Sequence, residues 1–142
     1  SPSLSKLKEI ANGLNTTVGL LMGESHQQDQ FLIVRKDKRR HTNHFGTGID
    51  VHLLSNADPF KQMEPLLFEL DKDASSGENQ YQHYGQEFVL VLKGKLELSL
   101  GDTKMILNEG DSMYFNSHIP HSFKNIYKGK TTAVWVATPP SF

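Results

Sequence analysis

Four residues in two stretches of the chain have side chains that could together bind a metal or move a proton. Tyr81, His83 and Glu87 lie close together in the middle of the chain, and His121 follows a proline further on. Side chains alternate between the two faces of a β-strand, so Tyr81, His83 and Glu87 would project from the same face. Two imidazoles and a carboxylate can bind a divalent first-row metal. They can also hold one another by hydrogen bonds without a metal, and both alternatives stay open.

Short predicted strands surround these residues and recur along most of the chain. Apolar and polar residues alternate within them, and glycine-containing turns such as 101–102 and 110–111 separate them. Regularly spaced short strands are typical of an all-β sandwich or barrel. The predicted strands cover residues 31–34, 49–54, 63–70, 88–92, 95–100, 105–107, 112–115, 121–125 and 131–137.

The spacing around His83 resembles the first of the two conserved motifs of the cupin family. Three residues separate His83 from Glu87, and six more separate Glu87 from Gly94, as in that motif. Tyr81 stands where many cupins have a further histidine. Cupins are double-stranded β-helix (jelly-roll) barrels, so the resemblance implies an all-β fold of that kind, with a short helical segment at its N-terminus.

The stretch from Gly110 to Asn125 resembles the second cupin motif. Gly110, His121 and Asn125 match it, whereas Asn116 and His118 replace its proline and glycine. The resemblance implies that His121 meets the first motif inside the barrel, while His118 is expected to lie exposed on a loop. Together with His83 and Glu87, His121 would then complete a possible site for one divalent metal, Zn, Mn, Fe or Ni.

The N-terminal residues show helical rather than strand spacing. Apolar residues recur at helical intervals over residues 3–14 with Ser3 as the N-cap, and Thr17 is placed to cap a second helix that ends at Gly23. The run from Pro2 to Met22 resembles the last two helices of a Cro/repressor-type (XRE family) helix-turn-helix domain. The chain is therefore expected to be the C-terminal part of a longer regulator; the alternative is a helical hairpin or dimerisation arm packed on the barrel.

Three segments follow from these patterns. Residues 1–23 would be the remnant of the helix-turn-helix domain, residues 24–30 a polar linker, and residues 31–142 the cupin effector-binding domain. The basic run 35–40 is interpreted as a solvated hairpin tip, with phosphate contact as the alternative.

Composition narrows the possible functions. The chain has 142 residues, of which 37% are hydrophobic, enough for one core plus an appendage. Its net charge of −1 gives no overall attraction for nucleic acid. It contains no cysteine, which excludes thiolate chemistry and fits the cytoplasm. No apolar run reaches the length of a membrane span.

These observations favour the sensor domain of a DNA-binding regulator. The residues predicted to bind its effector, an amino acid, polyamine or related metabolite, are Tyr81, His83, Glu87, Val89, Met113, Phe115 and His121. A homodimer is expected because such DNA-reading domains dock in pairs. The rival hypothesis is a small metal-dependent cupin enzyme of the isomerase or dioxygenase type, and a stand-alone binding module is a third. His26, His41, His44 and His52 have no partner that spacing can identify.

Overall fold

Nine β-strands and one α-helix make up the regular structure of the residues described. The structure is a computed structural model that describes residues 3–14, 18 and 32–142. A short 3₁₀ helix, Lys36–Lys38, precedes the strands. The elements are α1 Leu4–Gly13, β1 Arg40–Thr42, β2 Ile49–Leu53, β3 Glu64–Leu70, β4 Gln86–Lys93, β5 Lys95–Leu100, β6 Thr103–Asn108, β7 Ser112–Asn116, β8 His121–Asn125 and β9 Thr131–Thr138.

The strands form two antiparallel sheets that face each other. The larger sheet has the order β1-β2-β3-β9-β4-β7, and the smaller has the order β6-β5-β8. The β4 strand pairs with β9 on one side and with β7 on the other, so it lies inside the larger sheet. This arrangement is the predicted jelly-roll barrel.

Strict alternation of side chains builds the core between the sheets. In β3, Leu66, Phe68 and Leu70 are buried, and the residues between them are only partly covered. Phe68 stacks on Trp135 of β9 with ring centroids 4.9 Å apart, and Phe123 of the smaller sheet lies 5.0 Å from the same indole. These three rings therefore join the two sheets across the core.

Asn125 is a buried polar anchor at the end of β8. Its Nδ2 group donates to the carbonyl oxygens of Leu70 at 3.0 Å, Asp71 at 2.9 Å and Gly129 at 2.9 Å. Its Oδ1 atom accepts from the Thr131 hydroxyl at 2.7 Å. These bonds tie the loop that leads into β9 to the end of β3, which explains why the second motif needs an asparagine at this position.

The predicted strands from residue 49 onward are confirmed with small shifts of their ends. The predicted strand 31–34 is wrong within its described part, because Leu32 is helical and residues 33–35 have no regular structure. Leu32 and Ile33 are 69% and 43% exposed. Strand formation depends on packing against neighbouring strands and not on residue type alone, and these two residues belong to neither sheet.

The basic run also differs from the predicted hairpin tip. It forms the 3₁₀ helix and then enters β1, where Arg40 donates a hydrogen bond from Nη2 to the Ser55 carbonyl at 2.9 Å. Arg39 is half-buried, and the other basic side chains of the run are exposed. The basic run therefore leads into the outer strand of the larger sheet, and Arg40 is its one residue within that strand.

The first predicted helix is confirmed, including its N-cap. The Ser3 hydroxyl accepts a hydrogen bond from the Lys6 backbone amide at 3.2 Å. Leu4, Ile10 and Leu14 are 61%, 40% and 64% exposed. Of the second predicted helix only Val18 is described, and it is helical; the rest of that helix and the predicted linker 24–30 lie outside the described residues. Where the chain is described, no helix is long and apolar enough to cross a membrane.

We predict that Gly85→Ala destabilises the fold much more than Gly110→Ala. Both glycines have positive φ, 119° and 86°, but a Cβ at position 85 would collide with the Thr138 carbonyl, whereas nothing lies within 4 Å of one at position 110. Left-handed backbone costs about 1–2 kcal/mol at either site, and overpacking adds about 1–3 kcal/mol at position 85. Urea unfolding followed by circular dichroism measures both; equal losses would contradict the close approach of β4 and β9.

Candidate ligand and metal site inside the barrel

The two sequence motifs meet through backbone hydrogen bonds. Tyr81 and His121 form an isolated antiparallel bridge, with N–H···O distances of 3.0 Å and 2.9 Å in the two directions. The His83 amide donates to the Ser117 carbonyl at 3.0 Å. Glu87 lies on β4, directly after the Gly85 turn. The loop before β4 is thus fastened to the start of β8, which fixes the positions of both imidazoles.

His83, Glu87 and His121, here named the barrel site, converge on one point. The Oε2 atom of Glu87 lies 3.2 Å from His83 Nε2 and 3.0 Å from His121 Nε2. The side chains of Glu87 and His121 are 6% and 0% exposed, whereas that of His83 is 42% exposed. The site therefore has a buried inner half and one side, at His83, that solutes can reach.

Both imidazoles are oriented by backbone carbonyls. His83 Nδ1 donates to the Tyr84 carbonyl at 3.0 Å, and His121 Nδ1 donates to the Ile119 carbonyl at 2.7 Å. The protonated nitrogen of each ring is thereby fixed, and Nε2 is the atom that faces the carboxylate. Metal-binding histidines are commonly held in this way. The lone pair on each Nε2 atom would repel the Glu87 carboxylate oxygen that it faces. A cation between the two atoms, either a proton or a metal ion, removes this repulsion.

The charge on Glu87 is stabilised from several sides. Burial alone would raise the pKa of Glu87, but its interaction with His121 and the hydrogen bond from Trp135 lower that pKa below its usual value. Burial has the opposite effect on a base and would lower the pKa of His121. The Glu87 carboxylate and the Ile119 carbonyl nevertheless raise that pKa above its usual value. Without metal, these interactions favour the charged forms of both residues.

The donor atoms of the barrel site fit a divalent metal. Glu87 Oε2 and His121 Nε2 are buried atoms that form no hydrogen bond of normal geometry, although they lie 3.0 Å apart. Ligands of a tetrahedral metal at about 2.0–2.1 Å would be separated by about 3.3 Å. The distances from Glu87 Oε2 to His83 Nε2 and to His121 Nε2, 3.2 Å and 3.0 Å, are close to that value. Two histidines and one carboxylate that leave coordination positions open are characteristic of non-haem iron and zinc sites.

Tyr81 forms a wall of the site and keeps its proton. Its ring lies 4.4 Å from the His121 ring, and it is nearly parallel to the His83 ring at 6.5 Å. Burial and the negative charge of Glu87 raise the pKa of the Tyr81 phenol above its usual value. The residue that replaces the further cupin histidine therefore offers a neutral hydroxyl.

A cavity of about 690 Å³ opens beside the barrel site. Tyr81, His83 and Glu87 line it, as predicted for ligand-binding residues, and His121 supports Glu87 from behind. Most of the remaining lining is aromatic or aliphatic. The other lining residues are His44, Phe45, Glu64, Leu66, Phe68, Tyr84, Trp135, Ala137, Pro139, Ser141 and Phe142.

Three residues that were predicted to bind the effector, Val89, Met113 and Phe115, do not line the cavity. Val89 shares the inward face with Glu87 but is fully buried in the core. Two positions along a strand correspond to about 7 Å, so Val89 lies too deep. Met113 pairs with Val89 across the sheet and packs on the same core. Phe115 pairs with Glu87 and supports the His121 ring at 5.1 Å.

The sequence analysis missed several residues that shape the site. Trp135 Nε1 donates to Glu87 Oε1 at 2.9 Å, and the backbone amide of Phe142 donates to Glu64 Oε1 at 2.6 Å. Only the register between β4 and β9, which pairs Val89 with Trp135, brings this indole near the carboxylate. The C-terminal segment carries no motif, so nothing in the sequence indicated that Phe142 reaches the cavity.

The remaining histidines fall into different classes. His118 is exposed, as expected, and its ring contacts the Asn116 side chain. His44 lines the cavity, and His26 lies outside the described residues. His41 and His52, for which spacing indicated no partner, both approach Asp50 on the outer face of the larger sheet.

Comparison with known proteins gives relatives of two kinds. The profile of the family described as "Cupin domain" matches residues 66–137. The HTH-type transcriptional regulator PuuR of Escherichia coli (strain K12) is 24% identical over 143 aligned residues, covering all of this chain and 76% of the regulator. The (S)-2-hydroxypropylphosphonic acid epoxidase of Streptomyces wedmorensis is 26% identical, over 95% of this chain and 73% of the enzyme.

Solved structures give the same division. The structure of hydroxypropylphosphonic acid epoxidase superimposes with a TM-score of 0.65 at 24% identity, over 94% of this chain and 74% of the enzyme. An HTH_3 family transcriptional regulator from Vibrio cholerae superimposes with a TM-score of 0.58 at 18% identity, over 99% of this chain and 74% of the regulator. Identities this low show a shared fold.

We predict that Trp135→Phe weakens the fold chiefly through the lost hydrogen bond to Glu87. That bond joins a buried indole to a charged acceptor, and such bonds contribute about 1.5–3 kcal/mol. A double-mutant cycle with Glu87→Met, which removes the acceptor oxygen, followed by circular dichroism in urea, isolates the contribution. An equal cost of Trp135→Phe in both backgrounds would assign the effect to packing alone.

Proposed function

This chain belongs to the cupin family, and we propose that it is the ligand-sensing domain of a transcriptional regulator whose DNA binding responds to a small metabolite in the barrel. The observation that carries the proposal is the cavity of about 690 Å³ with the buried, charged Glu87 in its wall. This volume lies within the range of small-molecule pockets, about 300–1,000 Å³.

The lining indicates which ligands fit. Phe45, Trp135 and Phe142 supply apolar and aromatic walls. Glu87 supplies a carboxylate, whereas the Glu64 carboxylate is already paired with Lys61 at 2.7 Å. Aromatic rings and carboxylates together favour cations. An amino acid or polyamine would place an ammonium group near Glu87, with His83 at the accessible side for a carboxylate or hydroxyl.

The N-terminal segment supports the regulator part of the proposal. Residues 1–23 carry the helix-turn-helix resemblance, and α1 is a capped helix that leaves Leu4, Ile10 and Leu14 exposed. Such apolar side chains suit a helix that completes its domain with other helices. We assign residues 1–23 to the DNA-binding domain, 24–30 to the linker and 31–142 to the sensor. The alignment with the E. coli regulator over the whole chain supports this division.

Regulation requires that the ligand bind two conformations of the full protein with different affinity. In a homodimer, the ligand would favour one placement of the paired DNA-reading helices on half-sites about one turn apart. A tenfold change in operator affinity needs a difference of only about 1.4 kcal/mol between the two states. A single charged hydrogen bond to Glu87 is of that size.

We predict that a linear diamine, 1,4-diaminobutane, or an amino acid changes the fluorescence of Trp135, the only tryptophan of the chain. Glu87→Gln should weaken binding about 10- to 150-fold, because a charged hydrogen bond of about 1.5–3 kcal/mol is lost. Fluorescence titration measures the affinity.

The matched control is Glu109→Gln, which removes an exposed carboxylate outside the cavity and should leave the affinity unchanged. DNA selected from a random pool by the full-length protein then provides the functional assay, since the same ligand should change its affinity for that DNA. Failure to select any DNA, with ligand binding intact, would refute the regulator while leaving a binding module.

The second candidate is a metal-dependent enzyme, favoured by the fit of the barrel site to a divalent ion. His83, Glu87 and His121 would hold Fe, Mn, Ni or Zn, and the similarity to the epoxidase supports this alternative. Such an ion supplies Lewis-acid polarisation or activation of oxygen. The residues of this chain would orient a substrate in the aromatic cavity, and the Tyr81 hydroxyl would donate a hydrogen bond to it.

If the chain is a metal-dependent enzyme, we predict that the barrel site binds one metal ion and that His83→Ala or His121→Ala abolishes this binding. His83 is partly exposed, so its removal tests ligation with little risk to folding, and exposed His118→Ala is the control. Metal content after anaerobic reconstitution with Fe²⁺, measured by plasma mass spectrometry, decides between the functions. If neither substitution changes the iron content, the barrel site is not a metal site.

A further inference from the structure

We propose a second metal site, for a zinc-like divalent ion, on the outer face of the larger sheet. It consists of His41, Asp50 and His52, here named the outer-face cluster, with Glu69 beside it. In β2, Ile49 and Leu53 point into the core, so the alternating residues Asp50 and His52 project outward. The cluster is thus separated from the barrel site by the sheet itself.

Strand register brings the donors together. His41 of β1 is the cross-strand partner of His52, and Asp50 is the partner of Glu69 on β3. Side chains directly opposite each other in an antiparallel pair are close neighbours. Residues from three adjacent strands therefore meet at the outer edge of the larger sheet, although they are distant along the chain.

The distances match those between ligands of one ion. His41 Nδ1 lies 3.1 Å from Asp50 Oδ1, and His52 Nε2 lies 3.2 Å from Asp50 Oδ2. The three donor atoms all lie within 4.8 Å of one another. Ligands at about 2.0–2.1 Å from a tetrahedral ion are about 3.3 Å apart. Glu69 Oε2, at 3.6 Å from His52 Nε2, is placed to be a fourth ligand.

A surface cluster held only by hydrogen bonds would not explain the environment of His52. Its side chain is only 14% exposed, and both of its ring nitrogens are buried without a hydrogen-bond partner. Buried polar atoms are normally satisfied. A metal ion on Nε2 would satisfy that atom and would also neutralise the two neighbouring carboxylates, Asp50 and Glu69.

The donor set favours zinc over calcium or magnesium. Two imidazoles with carboxylate oxygens suit Zn²⁺ and its first-row neighbours, whereas calcium and magnesium prefer oxygen alone. The site would fasten β1, which has only three residues and only β2 as a neighbour within the described part of the chain, to the rest of the sheet. Edge strands of this kind are otherwise weakly held.

The decisive experiment titrates Zn²⁺ into the EDTA-treated chain without an affinity tag, by calorimetry. His52→Ala should bind one Zn²⁺ fewer than the wild type, or bind the ion at this site more than about a hundredfold more weakly, since even losing an outer-shell partner costs 10- to 100-fold. His118→Ala, which removes an exposed histidine outside both the cluster and the cavity, should bind as the wild type does. Asp50→Asn, at a half-exposed residue, should repeat the loss if His52→Ala does not fold.

The same zinc titration in His83→Ala distinguishes the outer-face cluster from the barrel site. This variant lacks a barrel-site ligand but should still bind the outer-face ion. Zinc should slow hydrogen exchange of the β1 amides in this variant, and His52→Ala should abolish the effect. Unchanged zinc stoichiometry and affinity in both His52→Ala and Asp50→Asn would overturn the proposal. So would disappearance of all bound zinc in folded His83→Ala, which would assign the ion to the barrel site alone.

Discussion

The structure depends on keeping the charged carboxylate of Glu87 inside a largely apolar barrel. An isolated buried charge is expensive unless it is paired and hydrogen-bonded. Trp135 donates to one carboxylate oxygen, and His83 and His121 approach the other. These partners come from β9, from the loop before β4 and from β8. The partners of the Glu87 carboxylate therefore come together only when the barrel closes. The first motif supplies His83 and the second supplies His121.

The same arrangement is compatible with both kinds of relative, the transcriptional regulator and the enzyme. With a proton between Glu87 and His121, the site is an ion pair in the wall of an apolar cavity, suited to recognising a cationic ligand. With a metal ion in the place of that proton, the same atoms form an open coordination site. The chemistry thus differs by the cation, whereas the backbone bonds that orient the two imidazoles serve both uses.

The larger sheet uses its two faces differently. Its inner face carries the aromatic core and the barrel site, and its outer face carries the cluster of His41, Asp50 and His52. Since β-strands alternate strictly, one strand can contribute to the core and to a polar surface cluster at once, as β2 does. The edge at β1, formed by a basic and mostly exposed segment, is the least apolar part of the sheet.

The sequence by itself determined the local features: most strand positions, the turns and the Ser3 cap. These depend on alternation and on residue preferences within a few positions. The predicted single strand carrying His83 and Glu87 is wrong, because His83 lies in the loop before β4 and the Gly85 turn separates it from Glu87. Only the tertiary structure decided that Trp135 reaches Glu87, that Val89 lies below the cavity and that His52 meets Asp50 and His41. Such contacts depend on strand register and barrel closure, which join residues far apart in the chain, and alternation specifies a face but neither a depth nor a partner.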